Sequence, residues 1–147
     1  MNVENCNDAY HYLLFDVGKI SYAVSMEYVG YVLSASEQFQ CCMLPGMPSY
    51  VSVVMDIGQK LVPIIELENF RESKNLEERK TRRVFILILN YCNEPIGVLT
   101  DKISLPSRQI ETKVEKDPIS QHVVVSFNGK NFALFNVPEF YKEIMAE

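Results

Sequence analysis

The chain has 147 residues, enough for one domain or for two very small ones that share a core. It carries 14 Lys and Arg against 19 Asp and Glu, and the net charge of -5 argues against a nucleic-acid-binding domain and against attraction to an anionic membrane. No apolar run approaches the roughly 20 residues of a membrane span, and residues 1–9 lack the features of a signal peptide. We therefore expect a soluble cytoplasmic protein without direct membrane insertion.

Four β-hairpins are predicted along the chain, because runs of β-branched and aromatic residues flank short turn sequences. In chain order, the paired runs are 12–16 with 20–24, 51–57 with 60–65, 84–89 with 95–99, and 123–127 with 131–135. The last pair flanks Asn128-Gly129, a strong hairpin signal because both residue types tolerate positive φ. The pattern predicts a mostly β protein.

Helical periodicity is limited to the C-terminus and to one short segment. Apolar residues recur with helical spacing at Val137, Phe140, Tyr141, Ile144 and Met145. We assign the C-terminal helix to 137–146, with Asn136 as its cap and Glu139 placed as in a capping box. A shorter helical turn is predicted at 66–70.

The two halves of the chain resemble each other. Residues 60–70 read KLVPIIELENF and residues 130–140 read KNFALFNVPEF, a weak internal repeat. The charged and polar segment 71–83 lies between the halves and is predicted to be a linker. We therefore divide the single domain 1–147 into a first small β-barrel at about 10–70 and a second at about 84–136, joined along a shared hydrophobic core.

The sequence contains no recognisable catalytic or metal-binding motif. Phosphate-binding loops, dinucleotide-binding glycine patterns, zinc-protease motifs and nucleophile elbows are absent from the sequence. The two histidines, His11 and His122, lie far in sequence from the adjacent cysteines Cys41 and Cys42, and no C-x-x-C spacing occurs. We expect no metal, no cofactor and reduced thiols.

A recognisable set of short segments spans nearly the whole chain. The segments are 13–33, 44–46 (LPG), 48–51 (PSYV), 56–57 (DI), 61–67 (LVPIIEL), 96–101 (IGVLTD) and 129–141. In this order they resemble the CheW-like domain family. The resemblance implies two SH3-like five-stranded barrels around a common core, short helical turns and a closing helix.

The resemblance also implies a function. A single-domain chain of this kind looks like a free-standing coupling protein, which has no active site and links chemoreceptors to the histidine kinase CheA. Such a protein uses one barrel face for the regulatory domain of the kinase and a groove between the barrels for the cytoplasmic tip of the receptor. The resemblance therefore implies recruitment to membrane-bound receptor arrays.

Departures from the family pattern fall in the central hairpin. Gly58-Gln59 stands where the family has Arg-Gly, Val53 where it has glycine, and Asp56 where it has asparagine. The segment after Asp101 is shorter than usual. These departures indicate a diverged member with its own matched partners or a paralogue with altered binding.

The resemblance places partner contacts at six positions: Val29, Tyr31, Asp56, Ile57, Gly58 and Asp101. We assign Val29 to contact, whereas Tyr31 and Ile57 fit a core or a contact position equally well. Exposed apolar anchors with a polar rim are what an adaptor surface requires.

Three other functions compete with this interpretation. A diverged small-barrel interaction module would use the same surface for a different partner. A single-strand nucleic-acid binder would stack bases on exposed aromatic side chains, although the charge of -5 opposes it. An enzyme would need Asp56 and Asp101 to act as a pair, and then an Asp→Asn change at either position would abolish activity.

Overall fold

The computed structural model describes residues 12–34, 41–42, 46, 51–67, 85–105, 112–116, 123–127 and 129–145. The predicted linker 71–83 and most of the predicted helical turn 66–70 lie outside these ranges. The strands are β1 (Tyr12–Val17), β2 (Ile20–Ser25), β3 (Val29–Ser34), β4 (Cys41–Cys42), β5 (Val51–Ile57), β6 (Lys60–Ile65), β7 (Phe85–Tyr91), β8 (Glu94–Thr100), β9 (Lys102–Ser104), β10 (Thr112–Lys116), β11 (Val123–Phe127) and β12 (Lys130–Leu134). A 3₁₀ turn spans Met26–Tyr28, and helix α1 spans Val137–Met145.

All four predicted hairpins are present, as β1–β2, β5–β6, β7–β8 and β11–β12. In the β5–β6 turn, Gly58 has a φ of 59° and Gln59 a φ of 70°. Two positive φ values in a two-residue turn match the right-handed twist of the flanking strands. The β7–β8 turn is shorter than the five residues expected, because the strands continue until Tyr91 lies opposite Glu94.

Within the described ranges the strands form two six-stranded sheets, which confirms the mostly β fold with two subdomains and a closing helix. The orders are β10-β11-β12-β2-β1-β9 and β3-β7-β8-β6-β5-β4. Each sheet holds one strand more than the five expected, and each has a very short edge strand, β9 with three residues and β4 with two.

The two compact units do not correspond to the predicted barrels at 10–70 and 84–136. Unit 2 is Val29–Lys102, whereas unit 1 combines the chain up to Tyr28 with the chain from Ile103 onward. The boundaries were wrong because the opening hairpin of each half joins the sheet built by the rest of the other half. We call this arrangement the hairpin exchange.

The hairpin exchange arises because the second strand of one hairpin pairs in parallel with the second strand of another. Strand β12 pairs with β2, where Leu134 lies opposite Ala23, and β6 pairs with β8, where Ile64 lies opposite Gly97. The internal repeat aligns Ile64 with Leu134. Each of these two equivalent residues lies opposite a small residue, Gly97 or Ala23, on the parallel strand. The repeat is therefore present in the topology, with its opening hairpins exchanged.

Aromatic side chains join α1 to the sheet of unit 1. The Phe135 ring lies 5.6 Å from the Phe15 ring and 4.9 Å from the Phe140 ring of α1, measured between centroids. The Phe135 N–H donates to the carbonyl oxygen of Ala23 at 2.8 Å. The Asn136 side-chain oxygen accepts from the Glu139 N–H at 3.1 Å and caps the helix as predicted.

Branched aliphatic side chains and one methionine fill one face of the sheet in unit 2. The buried cluster comprises Met55, Val62, Ile64, Ile86 and Ile88. Gly97 leaves room for it, because a Cβ atom at that position would lie 2.5 Å from Cδ1 of Ile64. We call the side of the sheet that carries this cluster the cluster face.

Candidate functional site

Several predicted contact residues lie at one end of the sheet in unit 2. Strands β6 and β8 run parallel, so the β5–β6 turn at Gly58 and the β7–β8 turn lie at the same end. Val29 begins β3 opposite Leu89, close to the end of β7, and so belongs to this end as well. We define the hairpin end as Val29, Asp56, Ile57, Gly58 and Leu61.

Asp101 lies at the other end of the sheet. It follows β8, seven residues beyond Glu94, which corresponds to about 23 Å of strand. The register of β6 and β8, when extended, brings Leu61 level with Glu94, and Asp56 is the cross-strand partner of Leu61. The two carboxylates therefore do not converge, and the geometry gives no support to a catalytic Asp56–Asp101 pair.

The contact residues divide between the two faces of the sheet. Ile57 and Tyr31 lie on the cluster face, since Ile57 packs against the cluster and Tyr31 lies opposite Ile88. Asp56 lies on the opposite face, because successive strand residues point to opposite sides. Val29 is on that face too, because it pairs with Leu89.

Leu61 is the residue of the hairpin end that sequence reasoning missed. Its side chain is 60% exposed, the largest exposure of an apolar residue in the described part of unit 2. It lies directly across the hairpin from the exposed Asp56, on the face away from the cluster. Alternation along β6 could not reveal this exposure, because Ile65, which shares the face of Leu61, is completely buried.

Ile57 and Tyr31 have different environments on the cluster face. Ile57 is half-buried and contributes to the packing of the cluster. Tyr31 is 45% exposed on the edge strand β3 and presents an aromatic side chain to solvent. Of the two residues that fitted a core or a contact position equally well, Ile57 therefore belongs to the core packing and Tyr31 lies at the surface.

Exposed polar residues lie around the two turns near Leu61: Asp56, Gln59, Lys60 and Glu94. Asp56 and Glu94 share the face of Leu61, whereas Lys60 pairs with Ile57 and lies on the cluster face. An apolar side chain within a polar rim is the usual composition of a small protein-binding surface. Gly58 is exposed, and its positive φ holds the chain in the tight turn that brings Asp56 opposite Leu61.

In the described ranges of the chain, no helix combines the length and the apolar character needed to cross a bilayer. Across the same ranges, no three His, Cys, Asp or Glu side chains are grouped so that they could hold a metal ion.

Comparison with known proteins identifies a family. A family model described as "CheW-like domain" matches residues 11–139. The crystal structure of the scaffolding protein TtCheW from Thermoanaerobacter tengcongensis superposes with a TM-score of 0.63 at 14% sequence identity, covering 85% of this chain and 87% of that one. No curated protein sequence matches the chain significantly.

Proposed function

Because the chain belongs to the CheW-like domain family, we propose that it is a non-enzymatic scaffold that couples chemoreceptors to a CheA-type histidine kinase. The observation that carries the proposal is the family match over residues 11–139, which includes both units and the exchanged hairpins. The partners are the regulatory domain of the kinase and the cytoplasmic tip of a methyl-accepting chemoreceptor, so the protein acts at receptor arrays.

The hairpin end is the proposed contact for the kinase. Leu61 supplies an apolar anchor, and Asp56 beside it supplies a charged group of the rim. Val29 lies on the same face at the same end of the sheet. Tyr31 is assigned to an adjoining contact on the cluster face, and Asp101 to a separate contact at the opposite end.

Titration calorimetry with the kinase regulatory domain tests the proposal. Wild-type protein is expected to bind saturably, and Leu61→Asp to weaken the affinity by about tenfold or more, since a charge replaces an apolar anchor. Ile20→Asp is the matched control, because Ile20 is 49% exposed on a hairpin of unit 1. The control is expected to bind like the wild type.

Leu61→Asp is a better probe than Ile57→Asp. Ile57 packs against the buried cluster, so an aspartate there would perturb folding and binding together. The absence of saturable binding by a folded wild-type protein would refute the coupling function. Binding that Leu61→Asp leaves unchanged would refute the assignment of the kinase contact to the hairpin end.

The receptor contact needs a separate assay. We expect the protein to co-sediment with receptor-containing membranes in the absence of the kinase. Adding the kinase is expected to increase the amount of protein that co-sediments. Co-sedimentation only through the kinase would remove the receptor from the proposed partners.

A further inference from the structure

Strand β10 is a regular sheet edge that carries an exposed apolar residue. It ends the strand order of unit 1, and in the described part of the chain it pairs with β11 alone. All five of its residues, Thr112–Lys116, pair with β11 without a register shift. The other sheet edges are less suitable, since β4 and β9 are very short and β3 has an irregularity between Val29 and Tyr31.

The exposed apolar residue is Val114, whose side chain is 50% exposed. It lies opposite Val125, which is completely buried in the hydrophobic cluster of unit 1. Because opposed residues of paired strands share a face, Val114 extends the buried face of the sheet to its edge. Another strand beside β10 would cover this side chain.

The charges of β10 complement the same strand of a second molecule. The sequence is TKVEK, with Lys113 and Glu115 on either side of Val114. Two antiparallel copies related by a two-fold axis at Val114 place each Lys113 opposite Glu115 of the other copy. Both charge pairs are attractive, and the two Val114 residues meet at the centre.

The same charges oppose the other registers. A shift of the antiparallel pairing by two residues places Lys113 opposite Lys113 or Glu115 opposite Glu115. A parallel, in-register pair brings like charges together along the whole strand. Like charges directly opposite each other destabilise strand pairing, so the register centred on Val114 is favoured over these alternatives.

We propose that β10 pairs with β10 of a second copy of this chain, in the antiparallel register centred on Val114, and so forms a symmetric dimer. The occupant of the edge is a second copy because the strand is complementary in charge to itself. The interface is a single strand pair with two charge pairs and one apolar contact, so the dimer is weak and depends on concentration. The proposal does not depend on the kinase-coupling function.

Charge reversal tests the register. In sedimentation equilibrium, the full chain is expected to show a monomer–dimer equilibrium. K113E and E115K should each raise the dissociation constant by about tenfold, because each places like charges opposite each other twice. Lys116→Glu is the matched control. It makes the same charge change at a position opposite Thr112 in the proposed register, and it should shift the constant much less.

Mixing the two reversal variants provides the decisive measurement. An equimolar mixture of K113E and E115K is expected to form heterodimers with an affinity close to that of the wild type, since each cross-strand pair is again attractive. The double variant K113E/E115K should likewise recover the homodimer. If K113E and E115K weakened the dimer only by disturbing the fold, neither the mixture nor the double variant would recover dimerisation.

Three outcomes would overturn the proposal: a wild type that stays monomeric up to its solubility limit, a dimer insensitive to both reversals, or no recovery in the mixture. Circular dichroism melts establish that each variant is folded. If a reversal variant does not melt cooperatively, K113Q and E115Q replace the pair. K113Q and E115Q are each expected to raise the dissociation constant of the dimer. An unchanged dissociation constant would refute the proposed register.

Discussion

Gly97 provides the sharpest test of the packing in unit 2. It lies on β8 opposite Ile64 of β6 and Ile88 of β7, within the buried cluster. An added Cβ would lie 2.5 Å from Cδ1 of Ile64, 3.1 Å from Cγ2 of Ile86 and 3.2 Å from Cδ1 of Ile88. Gly97→Ala therefore overfills a packed site from three sides.

Two opposing terms set the magnitude for Gly97→Ala. Overpacking a core costs about 1 to 3 kcal/mol. Replacing glycine by alanine recovers about 0.4 to 1 kcal/mol, because the unfolded chain loses conformational freedom. The expected net loss is about 1 kcal/mol of unfolding free energy, measured by urea denaturation with an unchanged m-value.

A double-mutant cycle identifies the clashing atom. Ile64→Val removes Cδ1, the nearest atom to the new Cβ, and by itself costs about 0.5 to 1.5 kcal/mol. In the Gly97→Ala background the same change should cost about 1 kcal/mol less. Ile65→Val is the matched control, because the neighbouring Ile65 is equally buried but lies opposite Val98. Equal costs of Ile64→Val in both backgrounds would refute this account.

Three further predictions concern the helix, the aromatic cluster and the turns, all measured by urea denaturation. Asn136→Ala should cost about 1 kcal/mol, because the Glu139 N–H loses its cap, while Asn136→Asp should retain most of the stability; equal losses would show that the cap contributes nothing. Phe135→Ala should cost about 3 to 5 kcal/mol through the cavity it leaves, and a loss below 1 kcal/mol would contradict the observed packing. Gln59→Gly should stabilise the protein by up to about 1 kcal/mol, because Gln59 has a φ of 70°. Lys19→Gly, in the β1–β2 turn at a residue without positive φ, should destabilise it, and the same sign for both changes would count against the turn argument.

Local features of the fold could be predicted from the sequence. The four hairpins follow from alternating apolar residues around short turns, and the start of α1 follows from Asn136. These features depend on residues a few positions apart. The hairpin exchange does not, since it depends on pairs such as Ala23 with Leu134, which no local pattern indicates. The repeat therefore predicted two subdomains, but it assigned each opening hairpin to the wrong subdomain.

The candidate site shows the same limit at the scale of one residue. Alternation along β3 would put Val29 and Tyr31 on the same face. The irregularity between them instead places Val29 opposite Leu89 and Tyr31 opposite Ile88, and thus on different faces. Gly30 permits this arrangement, because a Cβ there would lie 3.2 Å from the Ile88 carbonyl oxygen. A bulge of this kind depends on the partner strand, so periodicity alone could not locate it.

The hairpin exchange also has a consequence for synthesis of the chain on the ribosome. Strands β1 and β2 emerge before the other strands of their sheet, yet Ala23 pairs with Leu134, about 110 residues later. At roughly 5 to 20 residues per second, the first hairpin waits on the order of 5 to 20 seconds for its partner strand. During that time Phe15 and Tyr22, buried in the finished sheet, remain uncovered by it. Unit 2 can close once Lys102 has emerged, so the nascent chain needs protection from aggregation mainly at its N-terminal hairpin.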